Sequence, residues 1–367
     1  MSTMPLKGAL IAGLLVLFAS PASAQLGGKL GKAIQSVGTK TVNEMTFTEE
    51  EEREIGAEIS ARLREKYGVV QNAAVHRYVT LAGSVLARNS DRPNLKWTFI
   101  VLDTDGINAF AAPGGFIHIT RGALALIKNE AELSAVLGHE VAHVTLKHTL
   151  NAIRKGKIEG VVAKGTSTVT RSDFLEKVID KSYAMTLENA FSSKEESEAD
   201  EVGVTLSNRP GYAPNGLAAF LLRLGERYST ATERSGLYAS HPETTKRLKA
   251  LDEVIADAPL TGKFLMPARY AANISYKLVP VSQVAQVAPP STATATTEPE
   301  KNQGKGKSGM SGMDPLGKEK ASSSSTSATG SRGVNPDRDA KGGPNKALVV
   351  VTVTLADVDA FVKGIAG

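Results

Sequence analysis

The heptapeptide G-H-E-V-A-H-V at positions 138–144 constrains this chain more than any other stretch. His139 and His143 are four residues apart, so on an α-helix they lie about 40° from one another on one face and can grip a single ion. Glu140 follows the first histidine directly, where its carboxylate reaches a water held by that ion. The pattern H-E-x-x-H therefore reads as two imidazole ligands plus a general base. A helix of this kind must turn its polar face inward, and the fold must bring a third ligand to it from elsewhere.

Ten residues after His139, where a third histidine on a continuing chain would complete one known type of site, stands Thr149, and Leu146 takes the place of the glycine that type needs. His148 is five residues beyond His143, roughly 140° round a continuous helix, which predicts that it stays off the metal. It reads as a histidine at a helix C-terminus or one that touches a ligand. The third ligand is then expected as a carboxylate from a second helix, and Ser192 to Asp200 supplies candidates. Glu196 and Asp200 form an E-x-x-x-D pair on one face, so that one can bind metal while the other orients a ligand imidazole. Glu195 and Glu198 read as acidic helix surface.

Three stretches make the chain resemble the HtpX-like and CAAX-prenyl-protease-like zinc metallopeptidases (metallopeptidase family forty-eight). They are N-A-F-A-A-P-G-G-F-I-H-I-T from Asn108 to Thr120, E-L-S-A-V-L-G-H-E-V-A-H from Glu132 to His143, and E-S-E-A-D from Glu196 to Asp200. Ser240-His241-Pro242 with Arg247 is similar to that family's downstream His-Pro element, and together the matches span about Thr48 to Asp257. One departure is local: Ser192-Ser193-Lys194 stands where the family usually has Ser-Arg. The resemblance implies that Glu196 is the third metal ligand and Asp200 its carboxylate neighbour. It also implies one zinc ion per chain and hydrolysis of peptide bonds in misfolded or misassembled envelope proteins. A chaperone-like assembly factor with a rarely used site is the alternative.

The residue types suit that chemistry. Two neutral imidazoles and a carboxylate are a zinc donor set that leaves one position open. Glu140 is expected to take a proton from the attacking water and return one to the leaving amine. Negative charge on the carbonyl oxygen needs a further donor, for which His241 and Arg247 are candidates. His241 has a second reading, as a cap on the zinc that holds the enzyme inactive. Upstream, Pro113-Gly114-Gly115 signals a turn and residues 116–120 a β-strand. This strand is expected to offer an unpaired edge to an extended peptide, with Asn108, Ala109, Phe110, Gly115 and Phe116 as substrate-binding candidates. His118 reads as structural or substrate-facing.

The first 24 residues have the form of a secretory signal: Lys7, an apolar run from Gly8 to Phe18, then Ala22-Ser23-Ala24. That run is too short to span a bilayer. Cysteine is absent, so disulfides and a lipid-bearing cysteine are excluded. The expected address is periplasmic, with unfolded or misassembled proteins as substrates and outer-membrane assembly machinery as a partner. A net charge of +5 is dispersed among acids, without a platform of basic and aromatic residues, which argues against nucleic acid.

Residues 25–47 read as a loose lead-in. The fold class expected over residues 48–258 is α+β, a mainly helical zincin-like (gluzincin) domain with a small sheet. Thr48 and Glu51 form a capping box that opens a helix carrying Ile55, Ile59 and Leu63. A second helix is predicted over 73–89, a strand over 96–102, and the metal helix over 130–153. Residues 158–187 read either as a flap over the cleft or as a connecting helix. Residues 259–288 are expected to contain short strands. Residues 289–346, rich in Ser, Thr, Ala, Gly, Pro and Lys, are expected to be a disordered tail. Residues 347–354 read as a strand and 355–362 as a short helix, docking on the chain's own sheet edge or on a partner.

Overall fold

The computed structural model describes residues 46–154, 171–188, 191–228, 241, 244–284 and 344–366. The signal sequence, nearly all of the lead-in, residues 158–170, Ser240, Pro242 and residues 289–343 of the expected tail lie outside the described residues.

Helix α1 (Glu49–Tyr67) starts at the anticipated capping box. Thr48 Oγ1 accepts the Glu51 N–H at 3.2 Å, and the Glu51 carboxylate accepts the Thr48 N–H at 3.0 Å. Gly68, at φ 77°, ends it. The side chain of Asn72 caps α2 (Ala73–Arg88), whose Val75, Val79, Ala82 and Leu86 are buried. Three strands follow, β1 (Thr98–Leu102), β2 (Ala109–Ala112) and β3 (Phe116–Thr120), in the spatial order β1-β3-β2. β1 runs parallel to β3 and β2 antiparallel to it.

The remaining elements are α3 (Arg121–Leu126), α4 (Glu130–Thr145), α5 (His148–Arg154), α6 (Arg171–Glu188), α7 (Ser193–Asn208), α8 (Gly216–Tyr228), α9 (Thr244–Asp257), α10 (Pro267–Asn273), a 3-10 turn at Val281–Gln283 and α11 (Leu355–Ala366). The protein is mainly helical with one small sheet, an α+β architecture. Strand alternation divides the core in two. Phe99, Val101, Ala109, Ala111, Ile117 and Ile119 pack toward α2, α4 and α8. Ile100, Leu102, Phe110, Ala112 and Phe116 pack toward α1, α5 and α6.

Four expectations change. β3 is the central strand and has no open edge. The outer side of β1 is met by Val69 and Val70, so the open edge among the described residues belongs to β2. The metal helix does not run to residue 153: it stops at Leu146, and Lys147 adopts the left-handed conformation at φ 57° before α5 begins. The Lys147 ammonium is tied to buried Glu52 on α1, which gives the break a tertiary anchor that periodicity cannot register. From Arg171 onward the segment takes the second of its two readings, a connecting helix: it is α6, with Phe174, Leu175 and Val178 in the core beside α1.

Toward the end of the chain, residues 259–284 hold the short helix α10 and one isolated bridge, Tyr212–Phe264, in place of strands. Residues 347–354 form no ladder. They lie along the chain's own α1 and α2: the Gln71 amide donates to Ala347 O at 3.1 Å and Arg77 to Thr352 O at 3.2 Å, just after Arg64 meets the Lys346 carbonyl at 2.7 Å. Further on, Arg77 pairs with Asp357 at 2.7 Å and Phe361 packs on Tyr78, so the apolar ending docks in cis. Among the described residues no helix is long and apolar enough to cross a membrane.

Candidate metal centre

α4 is buried along nearly its whole length, as a helix at the centre of a domain must be. It crosses α7 at a point where glycine faces glycine. A Cβ on Gly138 would meet Gly203 O at 2.7 Å, and one on Gly203 would meet the His139 N at 2.7 Å. Backbones this close allow the first two turns of α7 to reach the imidazoles of α4. Ser192 and Glu195 fix the start of α7 by a second capping box. Glu195 is therefore a buried cap, not the acidic surface residue its position in the sequence suggested.

Four side chains converge there. His139 Nε2 and His143 Nε2 lie 3.0 Å apart, and Glu196 Oε2 and Oε1 approach them at 3.7 and 3.6 Å. His241 Nδ1 stands 2.8 Å from Glu196 Oε1 and 3.3 Å from His139 Nε2. One atom from each of these residues falls within 4.8 Å of all the others, and all four residues are buried.

Around them, Asp200 Oδ1 is 2.8 Å from His139 Nδ1. Arg247 holds Asp200 with two bonds of 2.9 and 2.7 Å and meets Glu196 Oε2 at 3.0 Å. Its guanidinium is thus spent on two carboxylates, which does not suit the carbonyl-oxygen donor anticipated for it. Glu140 lies next to the cluster, its Oε1 3.8 Å from His241 Nε2. Neither of its buried oxygens has a hydrogen-bond partner among the described residues.

Electrostatics follow from this packing. Burial, with the neighbouring histidines adding to it, holds His143 well below the usual imidazole range, so it is neutral and free to act as a ligand. Burial also raises Glu140, a shift that His241 and His139 only partly oppose. Burial pushes Asp200 up as well, but Arg247 and His139 outweigh it and the carboxyl stays below its ordinary value. Glu196 is lowered in the same way: burial raises it, while His241 and Arg247 prevail. Burial lowers His148, although the nearby Glu195 and Glu198 pull the other way. Two buried imidazoles, that of His143 neutral, and an ionised carboxylate, beside a second carboxylate without a hydrogen-bond partner among the described residues, fit a zinc-type donor set with a general base.

The five residues expected to bind substrate separate into two groups. Asn108, Ala109 and Phe110 lie at and in β2, where Asn108 accepts the Thr120 N–H and clamps the strand's start. Gly115 and Phe116 belong to the turn and the central strand, the Phe116 ring lying 3.7 Å beneath the Arg53 guanidinium. Phe116 thus packs against α1, while the Gly115 carbonyl accepts the Thr98 N–H of β1 at 2.8 Å. Ala111, Ala112 and Pro113 line a cavity with His143, Lys147 and Leu150. His118 is fully buried, bonded to Ser60 at 2.9 Å, and faces α1. Of two neighbours of the site, Phe191 went unread in the sequence, while His148 takes up its expected place against a ligand. Phe191 stacks on His143 with ring centroids 4.1 Å apart, and His148 touches the far nitrogen of His143.

The family model of Peptidase family M48 matches residues 72–255, which contain every residue of this cluster. The chain belongs to peptidase family M48. That family is one of metal-dependent proteases. Among proteins similar to it, the beta-barrel assembly-enhancing protease of Escherichia coli (strain K12) is 24% identical over 251 residues, 66% of this chain and 50% of that protein. Mitochondrial metalloendopeptidase OMA1 of Schizosaccharomyces pombe is 26% identical over 211 residues, 56% of this chain and 62% of that one. Metalloprotease YcaL of Escherichia coli (strain K12) is 29% identical over 157 residues, 42% of this chain and 60% of the relative. The chain spans about half the length of the beta-barrel assembly-enhancing proteases that it matches.

Proposed function

We propose that this M48 protein is a zinc endopeptidase that cleaves misfolded or misassembled proteins of the cell envelope. The observation that carries the reading is the buried cluster of His139, His143 and Glu196 beside Glu140, whose carboxylate has no hydrogen-bond partner among the described residues. When bound, zinc would supply a Lewis acid and lower the pKa of a coordinated water toward ~7. His139, His143 and Glu196 would hold it. Asp200 sets the His139 ring, and Arg247 acts by positioning Asp200 and Glu196. Glu140, raised by burial, takes the proton of the attacking water on a carboxylate oxygen and passes a proton to the leaving amine.

Ladder pairing sends Asn108, Phe110 and Ala112 toward β3, which leaves the N–H and C=O groups of Ala111 pointing to the open edge. An extended substrate pairing there makes main-chain contacts that tolerate many sequences, as clients without a fixed motif require. We assign His241 to the capping role: with Nδ1 inside the ligand cluster, it stands where a water or substrate oxygen would enter. The signal-like first 24 residues and the names of the bacterial relatives support a periplasmic site of action with outer-membrane assembly machinery nearby.

The test is zinc content and casein cleavage by the purified chain beside Glu140→Gln. About one zinc per chain in both, with cleavage in the parent alone and its loss on chelation, is expected. The variant should be slower by about 10²–10⁴-fold, the range for general acid–base catalysis. Parent protein without zinc would overturn the reading, and equal cleavage by the variant would overturn the role of Glu140.

A further inference from the structure

His148 sits outside the ligand set, yet its Nδ1 lies 2.9 Å from Nδ1 of His143, and its Nε2 lies 3.3 Å from Glu198 Oε2. On an unbroken helix the two histidines would point about 140° apart. They meet because α4 ends at Leu146 and Lys147 turns left-handed, which starts α5 back over the preceding turn. On its other side, the His143 ring stacks on Phe191. The imidazole is thereby held from two directions.

Two facing Nδ1 atoms at this distance require one donor and one acceptor, and the chemistry of the chain says which is which. An ionised carboxylate only accepts, so Glu198 places the proton of a neutral His148 on Nε2. Nδ1 of His148 is then a lone pair. It can only accept, which obliges His143 to carry its own proton on Nδ1 and frees Nε2, the atom that faces His139 and Glu196. The opposite arrangement would put a proton on His143 Nε2 and block it as a ligand. From this geometry we infer that His148 and Glu198 form a relay of hydrogen bonds that sets the tautomer and orientation of His143 for metal binding. The inference rests on the zinc-site reading above. It gives His143 a counterpart to what Asp200 does for His139, with a histidine interposed between the ligand and a half-exposed acid, Glu198. Both are positioning residues.

Zinc affinity, measured on the full chain by competition with a chromophoric chelator, tests the relay independently of activity. His148→Ala is expected to weaken zinc binding by about 10- to 100-fold, the usual effect of removing a partner of a ligating histidine. Glu198→Ala should cost less than about tenfold, because a solitary His148 still samples the accepting tautomer. His148→Asn is the decisive variant. Its amide oxygen occupies nearly the place of Nδ1 and only accepts, so it should restore most of the affinity, whereas His148→Leu should not. Melting temperatures of the chelated proteins should stay within a few degrees of the parent. Parent-like affinity in His148→Ala, or equal weakness of the Asn and Leu variants, would overturn the relay. A parent that takes up no zinc would overturn the metal-site reading itself and the relay with it.

Discussion

Single residues in this protein do work that their neighbours in sequence do not announce. His118 is buried without a counter-charge, and burial, reinforced by the charge of Arg64, lowers its pKa to about 3. An unfolded chain would titrate this residue near the ordinary value of about 6.5. Between those values the unfolded state binds a proton that the folded state does not, so stability falls as the pH drops through that window. The slope is at most about 1.4 kcal/mol per pH unit. His118→Gln should flatten this loss in urea melts taken from about pH 6.5 to about pH 4; parallel profiles would show that His118 is not its source. For His241 the expectation concerns rate. With Nδ1 inside the ligand cluster, His241→Ala should keep zinc and raise the basal rate of casein cleavage, and a fall in rate would return His241 to the role of donor. His139, Glu140 and His143 were legible because helical spacing alone makes them converge. His148 was legible as a histidine that touches a ligand, but which ligand it meets, and the place of Phe191, were not, since those contacts depend on where one helix stops and another starts.

The elements are arranged around the crossing of α4 and α7. Glycines at 138 and 203 let the two backbones touch, and this contact carries Glu196 and Asp200 to the histidines. Gly138→Ala or Gly203→Ala should separate the helices, destabilise the fold by about 1–3 kcal/mol through overpacking, and weaken zinc binding as well. A urea melt and a chelator competition check both effects; unchanged zinc affinity would mean that the close approach is not what positions Glu196. The helix start at Thr48 was readable from its local capping pair, whereas the equally local pair of Ser192 and Glu195 read as acidic surface. The order of the sheet was not readable. A turn signal at Pro113–Gly115 predicts that β2 and β3 are neighbours, but which of them lies at the edge depends on β1 inserting parallel to β3, a pairing between segments 14 or more residues apart.

Over the whole molecule, the end of the chain returns to its beginning. Arg77 to Asp357, Arg88 to Asp359, and buried Val358 and Ile365 hold residues 344–366 on α1, α2 and α10. The ion pairs are partly exposed and contribute little. Each buried aliphatic side chain contributes about 1.5–3 kcal/mol. Deleting residues 344–367 should therefore lower the melting temperature by several degrees and leave zinc content unchanged, as calorimetry and metal analysis would show. An unchanged melting temperature would mean that the docked segment contributes nothing to stability.

By itself the amino-acid sequence determined the chemistry of the site. The spacing of His139, Glu140 and His143, the E-x-x-x-D pair and the capping residues act over one or two helical turns, where backbone geometry leaves few choices. Only the tertiary structure decided which strand lies open, that α4 breaks at Lys147, that Arg247 binds two carboxylates, and where the apolar ending docks. Each of these turns on contacts between segments distant in sequence, where close packing, salt bridges and buried hydrogen bonds outweigh local preference.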